Sequence, residues 1–258
     1  MYYIVQENLF KEEGFHRLME IFDRHKIDYE VVKFIPFVHE MDFKTTRKDV
    51  FVFGSVNMAH TCKKYNFIPG SMYNDNHDLK VYGKHYGDEM LNADGHVMKF
   101  GDPLPFDNFI FFARPTKDTK AFTGQLFTQD SWKEYVNECI KNDAIVKLNE
   151  ETEVMVASLK YTQQEVRCWI VNGKVITASR YKIGDRVITE NYDNETGFIE
   201  YAQKIADIYC PAEAFVLDVC LSNDQYKVVE INCFNCAGFY DGDMFKIIEA
   251  LENHFNHE

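Results

Sequence analysis

The stretch Phe215-Val-Leu-Asp-Val-Cys-Leu221, then Ser222-Asn-Asp-Gln225, then Tyr226-Lys-Val-Val-Glu-Ile-Asn232 decides the reading of this chain. It places Asp218, Glu230 and Asn232 inside two apolar strand patterns. A carboxylate there is costly to desolvate unless something positive meets it. Glu230 and Asn232 are two residues apart and so face one side of a strand. The polar run between the patterns is rich in turn formers, so the two strands are expected to form a hairpin. A loop of three or five residues would set Asp218 directly opposite Glu230. Two carboxylates and an amide oxygen converging in a half-buried site suit Mg2+. The competing reading is two unrelated strand acids that face water.

Bulk properties narrow the classes of function. The chain has 258 residues, enough for one large domain or two smaller ones with a buried core. It is 46% hydrophobic and 27% charged, an ordinary soluble composition. The net charge of −13, with a pI near 5.2, makes a broad acidic field that repels phosphate backbones, against general nucleic-acid binding. No apolar run is long enough to span a bilayer, and Met1-Tyr-Tyr-Ile-Val-Gln-Glu7 lacks the pattern of a signal peptide, so no membrane role is expected. Seven scattered cysteines, an odd number, fit reduced thiols in a cytosolic protein better than a disulfide framework. Cys233 and Cys236 have the spacing of a redox or zinc half-site, but no second Cys or His pair stands at finger spacing.

Periodicity organises the rest. A strand at Tyr3–Val5, helical spacing over Phe10–Phe22, strands at Tyr29–Phe34 and Val50–Phe53, and a helix opened by Gly54-Ser55 and running through Tyr65 give a β-α-β-β-α order. That order implies a small α/β domain on a partly parallel sheet. Gly54-Ser55 reads either as an anion site or as a turn that starts a helix. Residues 69–107 are polar and weakly periodic, reading as loops with one short helix or strand, and a domain boundary is placed near residue 95. Beyond it lie a strand at Phe109–Ala113, a Ser131-x-x-Glu134 capping box opening a helix through Ile140, and a strand at Val154–Ser158. A helix over Thr196–Tyr209 and an amphipathic C-terminal helix complete the pattern.

Two further segments carry chemistry. Glu165–Val171, Asn172-Gly173 and Lys174–Tyr181 form a strong hairpin signal. With a two-residue loop, Glu165 pairs with Arg180, Arg167 with Ala178 and Trp169 with Ile176, all on one face. An acid and two arginines would then share that face, as a phosphate grip or as a solvated ion pair worth at most about 1 kcal/mol. The loop Arg114-Pro-Thr-Lys117-Asp-Thr-Lys120-Ala-Phe-Thr-Gly124 offers three cations and a glycine directly after a buried strand, and can fold over a polyphosphate. Neither a Walker A loop nor a Gly-x-Gly-x-x-Gly motif is present. A cationic loop, an acid-plus-arginine hairpin and a late Asp…Glu-x-Asn hairpin together meet the needs of Mg-nucleotide phosphoryl transfer.

With these motifs in order, the chain resembles the ATP-grasp superfamily over roughly residues 98–258. Phe-Phe-Ala-Arg-Pro-x4-Lys-Ala-Phe-Thr-Gly (111–124) looks like the signature of a clade known largely from bacteria and their phages, with Arg-Pro where most relatives have Lys-Pro. Val154–Ser158 is similar to the inter-lobe strand whose backbone meets adenine. Glu165-x-Arg167, the Asn-Gly turn and Arg180 are similar to the hairpin of the ribosomal-protein glutamate ligases. Asp218, Glu230 and Asn232 match the superfamily's metal-binding acids and amide. The resemblance implies an α/β (α+β) fold: two α+β lobes of an ATP-grasp domain over residues 96–258, preceded by a small α/β domain over residues 1–95. It implies an ATP-dependent carboxylate–amine (or thiol) ligase that works through an acyl-phosphate in the bacterial cytoplasm, encoded by the bacterium or by a phage. Arg114, Lys117, Lys120, Ser158 and Glu165 would bind ATP, Asp218, Glu230 and Asn232 would bind Mg2+, and Arg167 and Arg180 would be catalytic. The partners would be ATP, a carboxylate and an amine on a small molecule, peptide or protein. A phosphotransferase and a nucleotide-binding regulatory module without turnover are the alternatives.

Overall fold

Continuous apolar runs near the N-terminus build a parallel sheet buried on both faces. In the computed structural model, which describes residues 1–7, 12–35, 40–107, 109–117, 122–141 and 148–256, β1 (Tyr2–Gln6) lies between β2 (Tyr29–Val32) and β5 (Val50–Phe53). Helix α1 (Glu12–His25) connects β1 to β2, and a small hairpin of β3 (Phe34–Ile35) and β4 (Glu40–Met41) precedes β5. Gly54-Ser55 starts a helix as one of its two readings required: Ser55 caps α2 (Val56–Thr61), its hydroxyl accepting the Met58 N–H at 3.3 Å. A 3-10 turn then carries the chain to Tyr65.

Residues 69–107 are more ordered than their composition suggests. They contain α3 (Leu79–Tyr86), capped by Asp78, and β6 (His96–Lys99). Strand β6 joins a four-stranded antiparallel sheet in the order β6-β9-β7-β8, with β7 at Ile110–Pro115, β8 at Gln125–Thr128 and β9 at Glu153–Ser158. Helix α4 (Gln129–Lys141) covers it, packing Trp132 against Phe100, Phe111 and Phe127. This helix begins before the expected capping box, because Thr128 and Ser131 satisfy each other: the Ser131 N–H donates to Thr128 Oγ1 at 3.1 Å and the Thr128 N–H to Ser131 Oγ at 2.9 Å.

The five-stranded antiparallel sheet that follows has the order β12-β11-β10-β13-β14, with β10 at Gln164–Val171, β11 at Lys174–Ile183, β12 at Arg186–Asn191, β13 at Ala214–Ser222 and β14 at Gln225–Cys233. Helix α5 (Thr196–Ile208) buries Phe198, Tyr201, Ala202, Ile205 and Ala206, at helical spacing, against one face. On the other face Trp169 and Val216 share a core with α6 (Met244–Phe255) and with Tyr3, Phe51, Phe53, Leu18 and Phe22 of the N-terminal unit. The parallel sheet and the large sheet therefore bury one another's apolar surface. Among the described residues no helix is long and apolar enough to cross a membrane.

A single amide ties the two sheets together. Asn235, fully buried, donates to Val52 O at 2.6 Å and Gly70 O at 3.3 Å and accepts the Met72 N–H at 2.7 Å. Removing it leaves buried backbone groups unpaired, each costing about 1–3 kcal/mol. Asn235→Ala is expected to lower the unfolding free energy by about 2–4 kcal/mol in urea denaturation with the m-value unchanged.

Candidate active site

The two late strands form the expected hairpin and bring Asp218 opposite Glu230, by a different route from the odd-numbered loop. The turn has two residues, Asn223 and Asp224, at φ 48° and 58°, and Ser222 pairs with Gln225. Continued unbroken, that register would pair Asp218 with Val229. An irregularity between Asp218 and Val219 inserts Val229 as an extra residue and moves Glu230 into place. Asn232 then links the two acids, its Nδ2 lying 3.2 Å from Asp218 Oδ2 and 3.1 Å from Glu230 Oε1.

Strand β10 lies on the other side of β13, and its Arg167 is directly opposite Asp218. The guanidinium fork takes both carboxylate oxygens, Nε to Oδ1 and Nη2 to Oδ2, each at 2.8 Å. A third nitrogen donates to Gly238 O at 3.2 Å. The ring of Tyr240 lies 4.9 Å from the guanidinium carbon and that of Tyr181 5.8 Å, the two rings being stacked on each other at 5.0 Å. Tyr240 adopts φ 45°, uncommon for a bulky side chain, and its carbonyl accepts Arg17 Nη1 from α1. Burial opposes the Arg167 charge, but Asp218 outweighs it and holds the guanidinium pKa above its ordinary value. Burial pushes the Asp218 carboxyl upward; Arg167 opposes that push, and Glu230 and Glu165 add to it. At 1% exposure, Asp218 owes its charge to Arg167.

The β10–β11 hairpin keeps the Asn172-Gly173 turn, with φ 50° and 71°, but not the simple register. Two bulges add Ile176 and then Tyr181 to β11, so Trp169 pairs with Thr177, Arg167 with Ser179, Val166 with Arg180 and Glu165 with Lys182. The expected pairing of Glu165 with Arg180 is thereby corrected. Arg180 shares the face of Val166, beside α5, where it binds Glu190 at 2.7 Å and packs over the Tyr192 ring. Glu165 instead takes Lys182 Nζ, Thr162 Oγ1 and Tyr181 Oη, at 2.7, 2.8 and 2.7 Å. Nor is Arg167 part of a solvated pair, since its partner is the buried Asp218.

Between the four-stranded and five-stranded sheets opens a cleft of about 610 Å3. Arg114, Lys117, Thr123 and Gly124 line it from the smaller sheet and its loop, and Glu165, Lys182, Glu230 and Asn232 from the larger. Leu159, Lys160, Tyr161 and Thr162, the crossing segment, form its apolar and cationic wall. A Cβ on Gly124 would come 2.7 Å from the Phe112 ring and 3.2 Å from Arg114 Cβ, so only glycine lets the loop approach this closely. Arg114 Nη1 spans the cleft to Glu230 Oε2 at 2.8 Å. Ser158, at the end of β9, is tied to Asp94 by its N–H and hydroxyl, and Lys160 reaches the same carboxylate at 2.8 Å. Burial works against the Asp94 charge, but Lys160 and Ser158 hold its carboxyl below the ordinary range. Lys120 lies outside the described residues.

Sequence reasoning missed Lys160, Lys182 and the aromatic pair Tyr181–Tyr240. Lys182 needed the second bulge, and Lys160 only its place directly after a strand. On β14 the oxygen donors that line the cleft are the Glu230 carboxylate and the Asn232 amide, with Asp218 behind them on Arg167, while Glu165, which also lines it, is taken by Lys182, Thr162 and Tyr181. Among the described residues no cluster of three His, Cys, Asp or Glu could hold a metal ion alone. One carboxylate and one amide fit Mg2+, which keeps several waters and shares its shell with substrate phosphates, better than a softer metal that needs Cys or His.

The model of an ATP-grasp domain family, the third family of its clade, matches residues 49–251. The chain belongs to that family of ATP-grasp domains. Its match begins inside the segment expected to be a separate first domain. Among solved structures the chain is similar to D-alanine–D-alanine ligase from Bacillus anthracis complexed with ATP, at 14% identity and a TM-score of 0.63, over 99% of this chain and 97% of that one. D-cycloserine synthetase DcsG matches at 11% identity and 0.60, over 98% and 99%. The ATP-grasp ligase PsnB, complexed with minimal precursor, Mg and ADP, matches at 11% and 0.57, over 99% and 98%. At these identities the likeness establishes the ATP-grasp fold, two α+β lobes and an N-terminal α/β unit. No curated protein sequence matches the chain.

The buried pair generates a stability prediction. Arg167→Met strands the Asp218 charge and is expected to cost about 3–5 kcal/mol, whereas Arg167→Met combined with Asp218→Leu recovers most of that loss. Urea unfolding of both variants checks it; equal losses would remove the charge argument.

Proposed function

We propose that this protein is an ATP- and Mg2+-dependent carboxylate–amine ligase that acts through an acyl-phosphate. The observation that carries the reading is the meeting, in one cleft, of cations from one sheet with a carboxylate and an amide from the other. Arg114, Lys117 and Lys182 line the cleft, and we assign them, together with Lys120, to neutralising the charge of a triphosphate. Leu159 and Tyr161, with Phe112 and Leu126, would give the base an apolar wall. Glu230 and Asn232 would hold Mg2+, with Asp218 fixing Asn232 and Arg167 behind them. Bound there, the ion would neutralise phosphate charge and polarise the phosphorus.

The reaction balances without a covalent enzyme intermediate. A carboxylate oxygen attacks the γ-phosphorus and ADP leaves. The amine nitrogen attacks the acyl carbon, phosphate departs, and the nitrogen loses its proton. Arg167, whose three nitrogens are taken by Asp218 and the Gly238 carbonyl, is in this reading a positioning residue that holds Asp218, and through it Asn232, behind the cleft. Glu165, expected from the sequence to bind ATP, is in this reading the anchor of Lys182. Arg180, on the opposite face, supports the sheet in this reading and takes no part in transfer. The cytoplasm, where ATP is available, suits this chemistry.

The test is ADP release with Mg-ATP and a panel of amino acids, peptides and candidate proteins, read alongside product mass. The expected product is the acid and amine joined with loss of one water, with ADP formed in equal amount and abolished by EDTA. A product that carries a phosphoryl group would mark a phosphotransferase, and tight ATP binding without ADP release a regulatory module.

A further inference from the structure

Glu230, a carboxylate that lines the cleft, is already met by a cation of the opposite sheet. Arg114 Nη1 lies 2.8 Å from Glu230 Oε2, and Asn232 Nδ2 lies 3.1 Å from Oε1. Both oxygens are therefore engaged by donors before any ion arrives. The pair is shielded, with side-chain exposures of 16% and 28%, so salt screens it less than a surface bridge. A divalent cation at Glu230 would stand beside a guanidinium of like sign and compete with it for one oxygen. The same guanidinium lines the cleft that Lys117 and Lys182 make cationic, where phosphate oxygens offer it a second partner.

We propose that Arg114 is an exchange switch that makes metal binding depend on nucleotide. With the cleft empty it neutralises Glu230. When a nucleoside triphosphate enters, the guanidinium transfers to phosphate oxygens, and Glu230 becomes available to Mg2+ only in the company of the nucleotide. The planar fork suits this exchange better than a lysine: one nitrogen can keep Glu230 while another reaches phosphate, so neither charge passes through an unpaired state in a partly dry site. Because the pair joins β7 to β14, it also fixes the spacing of the two sheets at the cleft until nucleotide arrives. The proposal rests on the reading of the cleft as the Mg-ATP site.

Two binding experiments test it without any acceptor substrate. In the first, Mn2+ binding to the nucleotide-free protein is followed by electron paramagnetic resonance. Arg114→Gln is expected to bind Mn2+ about tenfold or more tightly than the wild type, and the gain should vanish in Arg114→Gln/Glu230→Gln. In the second, a fluorescent ATP analogue is titrated in EDTA. Glu230→Gln, which removes the carboxylate that Arg114 meets across the cleft, is expected to tighten metal-free nucleotide binding about fivefold, and this gain should be absent in the Arg114→Gln background. A gain that persists without Arg114 would mean that a lost negative charge, and no exchange, is responsible. Unchanged Mn2+ binding in Arg114→Gln would likewise overturn the switch while leaving the metal site standing. Should Glu230→Gln retain Mn2+ binding in the presence of the analogue, the metal assignment itself fails and the switch with it.

Discussion

Three carboxylates on three adjacent strands of one sheet must each be met by positive charge, and much of the site follows from how that is done. Asp218, Glu230 and Glu165 stand on β13, β14 and β10, and the charges of Glu230 and Glu165 raise the cost of ionising Asp218. Each takes its cation from a different place: Asp218 from the next strand, Glu165 from across a bulge, Glu230 from another sheet. Only the first pair is fully desolvated, where breaking it costs most. The other two line the cleft, where their cations remain within reach of an anionic ligand.

The hairpins themselves were legible in the sequence, and the reason is local. Asn172-Gly173 specifies its turn by left-handed backbone geometry, and alternating apolar residues specify the strands around it. The same local logic placed Asp218, Glu230 and Asn232 together on one hairpin. It went wrong where the backbone departs from strict alternation. The bulge residues Ile176 and Tyr181 resemble ordinary strand residues, yet the first shifts the side chains after it, moving Arg180 away from Arg167, and the second brings Lys182 opposite Glu165. At β14 the bulge residue Val229 corrected a misjudged loop length, so the right pair arose from a wrong premise.

Long-range pairing was the second obstacle. Nothing near Arg167 announces that its strand adjoins Asp218, fifty-one residues away. Nor does the Arg114 segment indicate that its side chain crosses to Glu230. The N-terminal unit supplies further support from a distance: Asn235 joins its sheet to the loop after β14, and Arg17 holds the carbonyl of Tyr240, whose ring lies over Arg167. The unit that reads as a separate domain is thus part of what keeps the site in shape.

The central claim, that the cleft between the sheets binds a metal nucleotide on these charges, is tested most directly by a crystal structure with Mg2+ and a non-hydrolysable ATP analogue. The base is expected against Leu159–Thr162 and the triphosphate among Arg114, Lys117 and Lys182. Mg2+ is expected about 2.0–2.1 Å from oxygens of Glu230, Asn232 and the phosphates, while Asp218 stays on Arg167. A nucleotide bound outside the cleft, or a metal held without Glu230, would contradict it.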